Sequence, residues 1–166
     1  MRYSKDKDDI EMIESVFLAL KKDYPNIEIV TCGWSPRCSD EHHHWVSFFD
    51  YPQKMGSMNI DIAVVPLIDS AYNRCKSNLA YLEWSALKIP TVLSPTENQK
   101  GMVALEASSN YDWYNALEKL IKDRKYRLKL GEDAYQFVKK NYDVRKQVHP
   151  LAKWMEELPR RTDLEP

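Results

Sequence analysis

Residues 61–94 read DIAVVPLIDSAYNRCKSNLAYLEWSALKIPTVLS. The stretch follows Ile60, and Ile60 to Val65 is a short apolar run rich in β-branched residues that Pro66 stops. Such a run predicts a strand buried on both faces, the kind found in parallel sheets. Asp69 to Ser77 is a polar loop. Asn78 to Lys88 then has helical character, with Leu79, Leu82, Ala86 and Leu87 as its apolar stripe and Ser77 or Asn78 available to cap its start. Pro90 ends that helix, and Thr91-Val92-Leu93 is the next buried strand. Strand, loop, helix and strand in this order predict a right-handed parallel crossover and a doubly wound α/β sheet.

In such sheets ligands collect outside the carboxyl ends of the strands, which is where the loop from Asp69 to Ser77 falls. It carries Arg74 and Lys76 just before a helix start. Two cations beside free N–H groups and the positive end of a helix dipole suit a phosphate. Glu83 lies further into the helix, between Leu79 and Leu87 of the stripe. Two readings of it stay open: a carboxylate that takes the hydroxyls of a ribose or another sugar, or a boundary residue paired with Lys or Arg.

Outward from this unit, the chain reads as one α/β domain over 1–158 with a mobile charged tail over 159–166. With 166 residues, 43% of them hydrophobic, there is enough apolar content for one core. A net charge of −1, from 24 basic and 25 acidic residues, gives no bulk attraction to nucleic acid or membrane surfaces. No run approaches membrane-spanning length, and the N-terminus is too polar for a signal peptide. The three cysteines Cys32, Cys38 and Cys75 fall on different elements, so disulfides are not expected and a cytoplasmic location is. The four glycines form no phosphate-binding loop of the Walker or dinucleotide type.

Before the central unit, Ile10, Ile13, Val16, Phe17 and Leu20 predict one helix to about Lys22, started near Asp8 or Asp9. A strand over Ile27 to Thr31 follows, closed by Gly33. Trp34 to His44 is a loop. Its Cys38, His42, His43 and His44 do not read as a zinc site, because adjacent histidines point in different directions and no second Cys pair is present. His44 to Tyr51 is expected to be a strand whose Trp45, Phe48 and Phe49 enter the core. A short helix or turn from Tyr51 to Met58 leads into Ile60. After the central unit come a strand over Met102 to Leu105, a helix Trp113 to Lys122 capped by Asp112, and a longer helix from Asp123 to about Asn141. A last helix runs from Asp143 towards Leu158 and is disturbed at Pro150. No nucleophile–base arrangement stands out.

The segments Asp61 to Leu67, Tyr72 to Leu79, Leu82-Glu83 and Lys88 to Ser94 together resemble the donor-binding, C-terminal half of GT-B glycosyltransferases. The branch is that of the retaining, family-4-like (group 1) enzymes that use nucleotide sugars and carry Asn-x-x-Lys-Ser before a helical Glu, here Asn73, Lys76, Ser77 and Glu83. Asp112 to Leu117, Leu130-Gly131 and Ala134 to Tyr142 resemble the helical end of the same domain, so the likeness spans about Asp8 to Tyr142. It implies a Rossmann-like sheet and a UDP- or GDP-linked sugar as donor substrate. It implies no cofactor and no bound metal. The acceptor would sit on a separate or missing domain.

The resemblance assigns the ribose to Glu83 and the diphosphate and transferred sugar to the loop of Asn73, Arg74, Lys76, Ser77 and Asn78. Lys76 and Glu83 would be the residues closest to the chemistry, and the base would lie near Gly33 and Trp34. Several departures stand out. Cys75 occupies the position where many relatives carry a second Glu, a Glu that the Asn-x-x-Lys-Ser branch also lacks. The loop from Pro95 to Lys100, before Gly101, is shorter than usual. The first strand of the resembled domain is absent, since the chain opens at about Ser4 inside the loop that follows it. Arg2, Lys5 and Lys7 are the only stand-ins for basic residues of that missing wall. A sheet edge left open there could pair with a second copy. The alternative is a nucleotide-binding or protein-interaction module derived from such an enzyme that no longer transfers a sugar.

Overall fold

The computed structural model describes residues 5–33 and 35–158. Arg2, Ser4, Trp34 and the tail 159–166 lie outside the described residues, as do the side chains of Lys5 and Lys7. The fold is α/β, with short parallel sheets and flanking helices. In chain order the elements are α1 (Lys5–Glu11), α2 (Glu14–Asp23), β1 (Val30–Cys32), β2 (Glu41–His43), α3 (Tyr51–Ser57), β3 (Ala63–Val65), α4 (Ala71–Arg74) and α5 (Leu79–Ala86). There follow β4 (Thr91–Leu93), a 3-10 turn Glu97–Gln99, β5 (Leu105–Glu106), α6 (Asn110–Lys122), α7 (Arg124–Asn141) and α8 (Val144–Glu157).

β3, β4 and β5 form one parallel sheet with β4 in the middle, Val64 opposite Val92 and Leu93 opposite Glu106. β1 and β2 form a second parallel sheet, Val30 opposite Glu41, and among the described strands β1 does not pair with β3. The two-residue alternation of β4 splits the core. Val92 joins Ile13, Val16, Phe17 and Leu20 of α2 (Ile13 just before its first turn) and Trp113, Leu117 and Leu120 of α6. Leu93 joins Val65, Tyr81 of α5 and Ala134 of α7. The central strand, helix and strand unit therefore stands as the sequence predicts, with helices on both sides of β4.

The helices differ from expectation in informative ways. The first is two helices broken at Met12 and Ile13, and Asp9, expected near the helix start, is buried. In α5 the inward residues are Tyr81 and Ser85, while Leu79 and Leu87 are exposed. The stripe read from the sequence is thus turned, because the tyrosine carries more apolar area than either leucine and its hydroxyl finds partners, Val103 N–H at 3.1 Å among them. Neither expected cap holds α5: the Asn78 side chain makes no cap bond and donates to the Tyr142 hydroxyl at 3.1 Å instead. Ser109 rather than Asp112 caps α6, and Asp112 closes the reciprocal capping box. Asp123 caps α7 through Tyr126 N–H at 2.8 Å.

Two strands moved. The expected strand over His44 to Tyr51 is displaced to Glu41–His43, and the segment after it turns at the surface. Phe48 and Phe49 are 85% and 90% exposed and belong to no core. β2 pairs only with β1, so no second layer exists there to receive them. The strand expected over Met102 to Leu105 shrinks to Leu105–Glu106, and that expected over Ile27 to Thr31 shifts to Val30–Cys32.

Asp143 caps α8 through Arg145 N–H at 3.1 Å, and Pro150 stays inside the helix. The Arg145 guanidinium grips both Asp143 oxygens and holds its carboxyl down at about 2, against an ordinary 3.8. A depressed carboxyl favours the folded helix end above the ordinary value, and that contribution fades as pH falls towards the folded one. Far-UV circular dichroism should therefore show α8 fraying between pH 3.8 and about 2, and Asp143→Ala should show the same loss already at neutral pH.

Candidate functional site

The loops that leave β3 and β4 at their carboxyl ends carry a run of buried polar side chains: Asn73, Ser94, Thr96 and Gln99, with Asp9 of α1 among them. After β3 the chain turns at Pro66, and Leu67 N–H donates to Ser94 Oγ at 2.8 Å, tying the two strand ends together. Ser70 caps the four-residue helix α4 by accepting from Asn73 N–H at 3.1 Å. The expected loop from Asp69 to Ser77 thus contains a helical turn, and that turn brings Asn73 inward.

Asp9 is the hub. Its Oδ1 accepts from Asn73 Nδ2 at 2.7 Å and from Ile68 N–H at 2.9 Å, and its Oδ2 accepts from Lys76 Nζ at 3.1 Å. A carboxylate only 4% exposed needs such donors, since its desolvation is otherwise prohibitive. Asn73 Nδ2 donates a second time, to Ile68 C=O at 2.9 Å. With both amide hydrogens committed, Asn73 Oδ1 is left as a buried acceptor with no partner among the described residues, and Gln99 Oε1 is another. The Lys76 ammonium also lies 5.3 Å from the centre of the Tyr72 ring. The short loop after β4 reaches this cluster: Asn98 Nδ2 donates to Lys76 C=O, and Thr96 Oγ donates to Asn98 Oδ1 at 2.6 Å.

The other residues singled out in the sequence fall elsewhere. Arg74 is exposed and bound bidentately to Asp69 at 2.7 and 2.8 Å, which lowers the Asp69 carboxyl below its ordinary range. Ser77 lies between Lys76 and Asn78 and is exposed. Glu83 sits on the Leu79–Leu87 line of α5, which is the exposed side, so its stripe position is no argument for function. Its Oε2 accepts from the Tyr51 hydroxyl at 3.3 Å. The Tyr51 ring in turn lies 6.3 Å from that of Trp45, whose indole covers the α-carbon of Gly33. A Cβ at Gly33 would stand 2.7 Å from the indole nitrogen, and the backbone there has φ of 94°, so the position requires glycine. The structure therefore gathers Asn73 and Lys76 on Asp9 and links Glu83 to Gly33 through Tyr51 and Trp45.

The chain matches no known family model and no curated protein.

Asp9, Tyr51, Trp45 and Asn98 went unread as site residues. Asp9 carried a signal: it lies four residues before Ile13, on the apolar line of that helix, where a merely solvated carboxylate does not belong. Asn98 had none, because its partner is a backbone carbonyl. Cys38 is buried, and burial followed by the nearby Glu14 charge raises its thiol, so it is no activated nucleophile. Cys32, Cys38 and Cys75 are all unbridged. His43 is engaged by Lys54 at 2.8 Å and Glu41 at 3.0 Å. Among the described residues no three His, Cys, Asp or Glu side chains converge as metal ligands. No described helix is long and apolar enough to cross a membrane. What the arrangement offers is binding chemistry: one cation, two unpartnered amide oxygens and a carboxylate on α5.

Proposed function

We propose that this chain is the donor-binding half of a GT-B-type retaining glycosyltransferase. It would take a nucleoside-diphosphate sugar, UDP- or GDP-linked, and act with an acceptor-binding domain or chain. The observation that carries the reading is the cluster of Asp9, Asn73, Lys76 and Asn98 at the carboxyl ends of two adjacent parallel strands, the position at which doubly wound sheets take their ligands.

In this reading the protein positions and neutralises; it supplies no nucleophile. Lys76 moves from Asp9 onto the diphosphate and stabilises the negative charge that grows as the sugar–phosphate bond breaks. Glu83 accepts from the ribose hydroxyls, oriented by Tyr51.

One observation favours the second reading, a module that no longer transfers a sugar. Both cations of the expected diphosphate site, Lys76 and Arg74, already face carboxylates of the chain itself, Asp9 and Asp69. Thermal unfolding with UDP, GDP, ADP and their sugars tests whether the site takes a nucleotide, which separates the donor half, or a module that still binds nucleotide, from a protein-interaction module. A ligand at about 100 times its dissociation constant adds roughly 2.7 kcal/mol. The donor reading expects that shift with one nucleotide, lost in Glu83→Ala. A shift that Glu83→Ala retains removes Glu83 from the site, and no shift with any of the nucleotides removes the donor reading itself.

A further inference from the structure

Lys76 is the inward cation of the candidate site, and a carboxylate of the chain already stands on it. Asp9 Oδ2 lies 3.1 Å from Lys76 Nζ, and the two side chains are 5% and 24% exposed, so solvent screens the contact poorly. Arg74 has a similar partner in Asp69, but both of those side chains are more than half exposed and water weakens the pair. The helix that carries Asp9 has little else to hold it down. Among the described side chains of α1 only Asp9 is buried, while Asp8 and Glu11 are exposed. A helix of seven residues does not persist without a tertiary contact. Its docking therefore rests on the carboxylate that Lys76 Nζ, Asn73 Nδ2 and Ile68 N–H share.

We propose that α1 is a latch that an anion displaces: Asp9 occupies the seat of a phosphate on Lys76, and a diphosphate that takes the ammonium releases Asp9 and with it α1. The inference rests on the reading of Lys76 as the diphosphate residue. Its reason is electrostatic. An ammonium shared between a phosphate and Asp9 would bring two anions together beside a carboxylate that water barely reaches. Once Lys76 has turned to the ligand, Asp9 keeps two neutral donors only, too few to hold a buried charge. Leaving for solvent restores its hydration, and no other buried side chain described on α1 resists the move. The resting chain thus inhibits itself. A ligand competes with Asp9, and its apparent affinity is reduced by the fraction of molecules in which the latch is open.

The test is calorimetric titration of inorganic pyrophosphate at fixed ionic strength into wild type, Asp9→Asn, Asp8→Asn and Lys76→Met. Asparagine keeps an oxygen for Asn73 Nδ2 and Ile68 N–H, which alanine would not, but offers Lys76 no charge. Asp9→Asn should therefore bind pyrophosphate at least about tenfold more tightly than wild type. Asp8→Asn removes the same charge from the exposed neighbour and should bind as wild type does, and Lys76→Met should not bind. Hydrogen exchange at Ile68, whose amide donates to Asp9, reads the latch in the unaltered chain: saturating pyrophosphate should speed it. Equal affinity in wild type and Asp9→Asn overturns the latch and leaves Lys76 as the diphosphate residue. Pyrophosphate bound with Ile68 still protected does the same, as does a tightening that Asp8→Asn reproduces. No binding to wild type or to Asp9→Asn overturns the latch and the diphosphate role of Lys76 together.

Discussion

Asp9→Ala is expected to lower the free energy of unfolding by about 3–5 kcal/mol, the range for removing one partner of a buried ion pair. The Asp9 side chain is 5% exposed and that of Lys76 24%, so solvent screens the pair poorly. Alanine would strand three donors at once: the Lys76 ammonium, Asn73 Nδ2 and Ile68 N–H. Each stranded group loses its hydration without compensation. Chemical denaturation measures the loss. The double variant Asp9→Leu/Lys76→Met removes both charges and should recover part of it, because an apolar pair of similar volume carries no desolvation cost. A loss below about 1 kcal/mol for Asp9→Ala would mean that water reaches the carboxylate and that the cluster is a surface pair. Since Asp9 connects α1 to the loop after β3, the same variant should loosen that loop and weaken any anion binding at Lys76.

Gly131→Ala is expected to cost about 3 kcal/mol, the upper end for overpacking, although alanine is the better helix former by about 1 kcal/mol. α7 crosses the end of α5 at this glycine. A Cβ there would stand 2.0 Å from the Lys88 carbonyl oxygen and 3.2 Å from Pro90 Cδ. That carbonyl cannot withdraw. Lys88 is in the left-handed region at φ of 61°, where it closes a Schellman end on α5: Ile89 N–H bonds Trp84 C=O and Lys88 N–H bonds Ser85 C=O, both at 3.0 Å. Pro90 locks the next residue. Relief requires α7 to back away from α5 and open the core of Tyr81 and Ala134. Thermal denaturation of Gly131→Ala beside Ala134→Gly checks this. If Gly131→Ala unfolds at the wild-type temperature, the two helices are not packed at this distance.

The central unit was legible because each of its signals is local. A β-branched run stopped by proline makes β3, Thr91-Val92-Leu93 makes β4, and Pro90 between them makes the helix end. The long helices were legible for the same reason, since their apolar spacing repeats over many residues. The face of α5 was not. Leu79, Leu82, Ala86 and Leu87 form a good stripe in isolation, yet α7 and the strands chose Tyr81 and Ser85, where a large ring can be buried and its hydroxyl satisfied. Phe48 and Phe49 misled in the opposite direction. An aromatic cluster is a core signal only where a second layer exists to receive it, and β2 has none.

The candidate site divides along the same line. Asn73 and Lys76 were marked by their own position, after a strand and before a helix. Asp9 was not, because it comes from the far end of the chain and joins them only when α1 folds across the strand ends. Glu83 was marked by a stripe that the fold then turned outward, and its partner Tyr51 arrived from another element. The class of the domain, the central crossover and the ends of most helices follow from local signals, since propensity, proline and capping act over a few residues. Which helix faces are buried, which strands pair and which side chains meet emerge only when the chain packs. Those outcomes depend on apolar area and hydrogen-bond partners supplied by segments far apart in the chain.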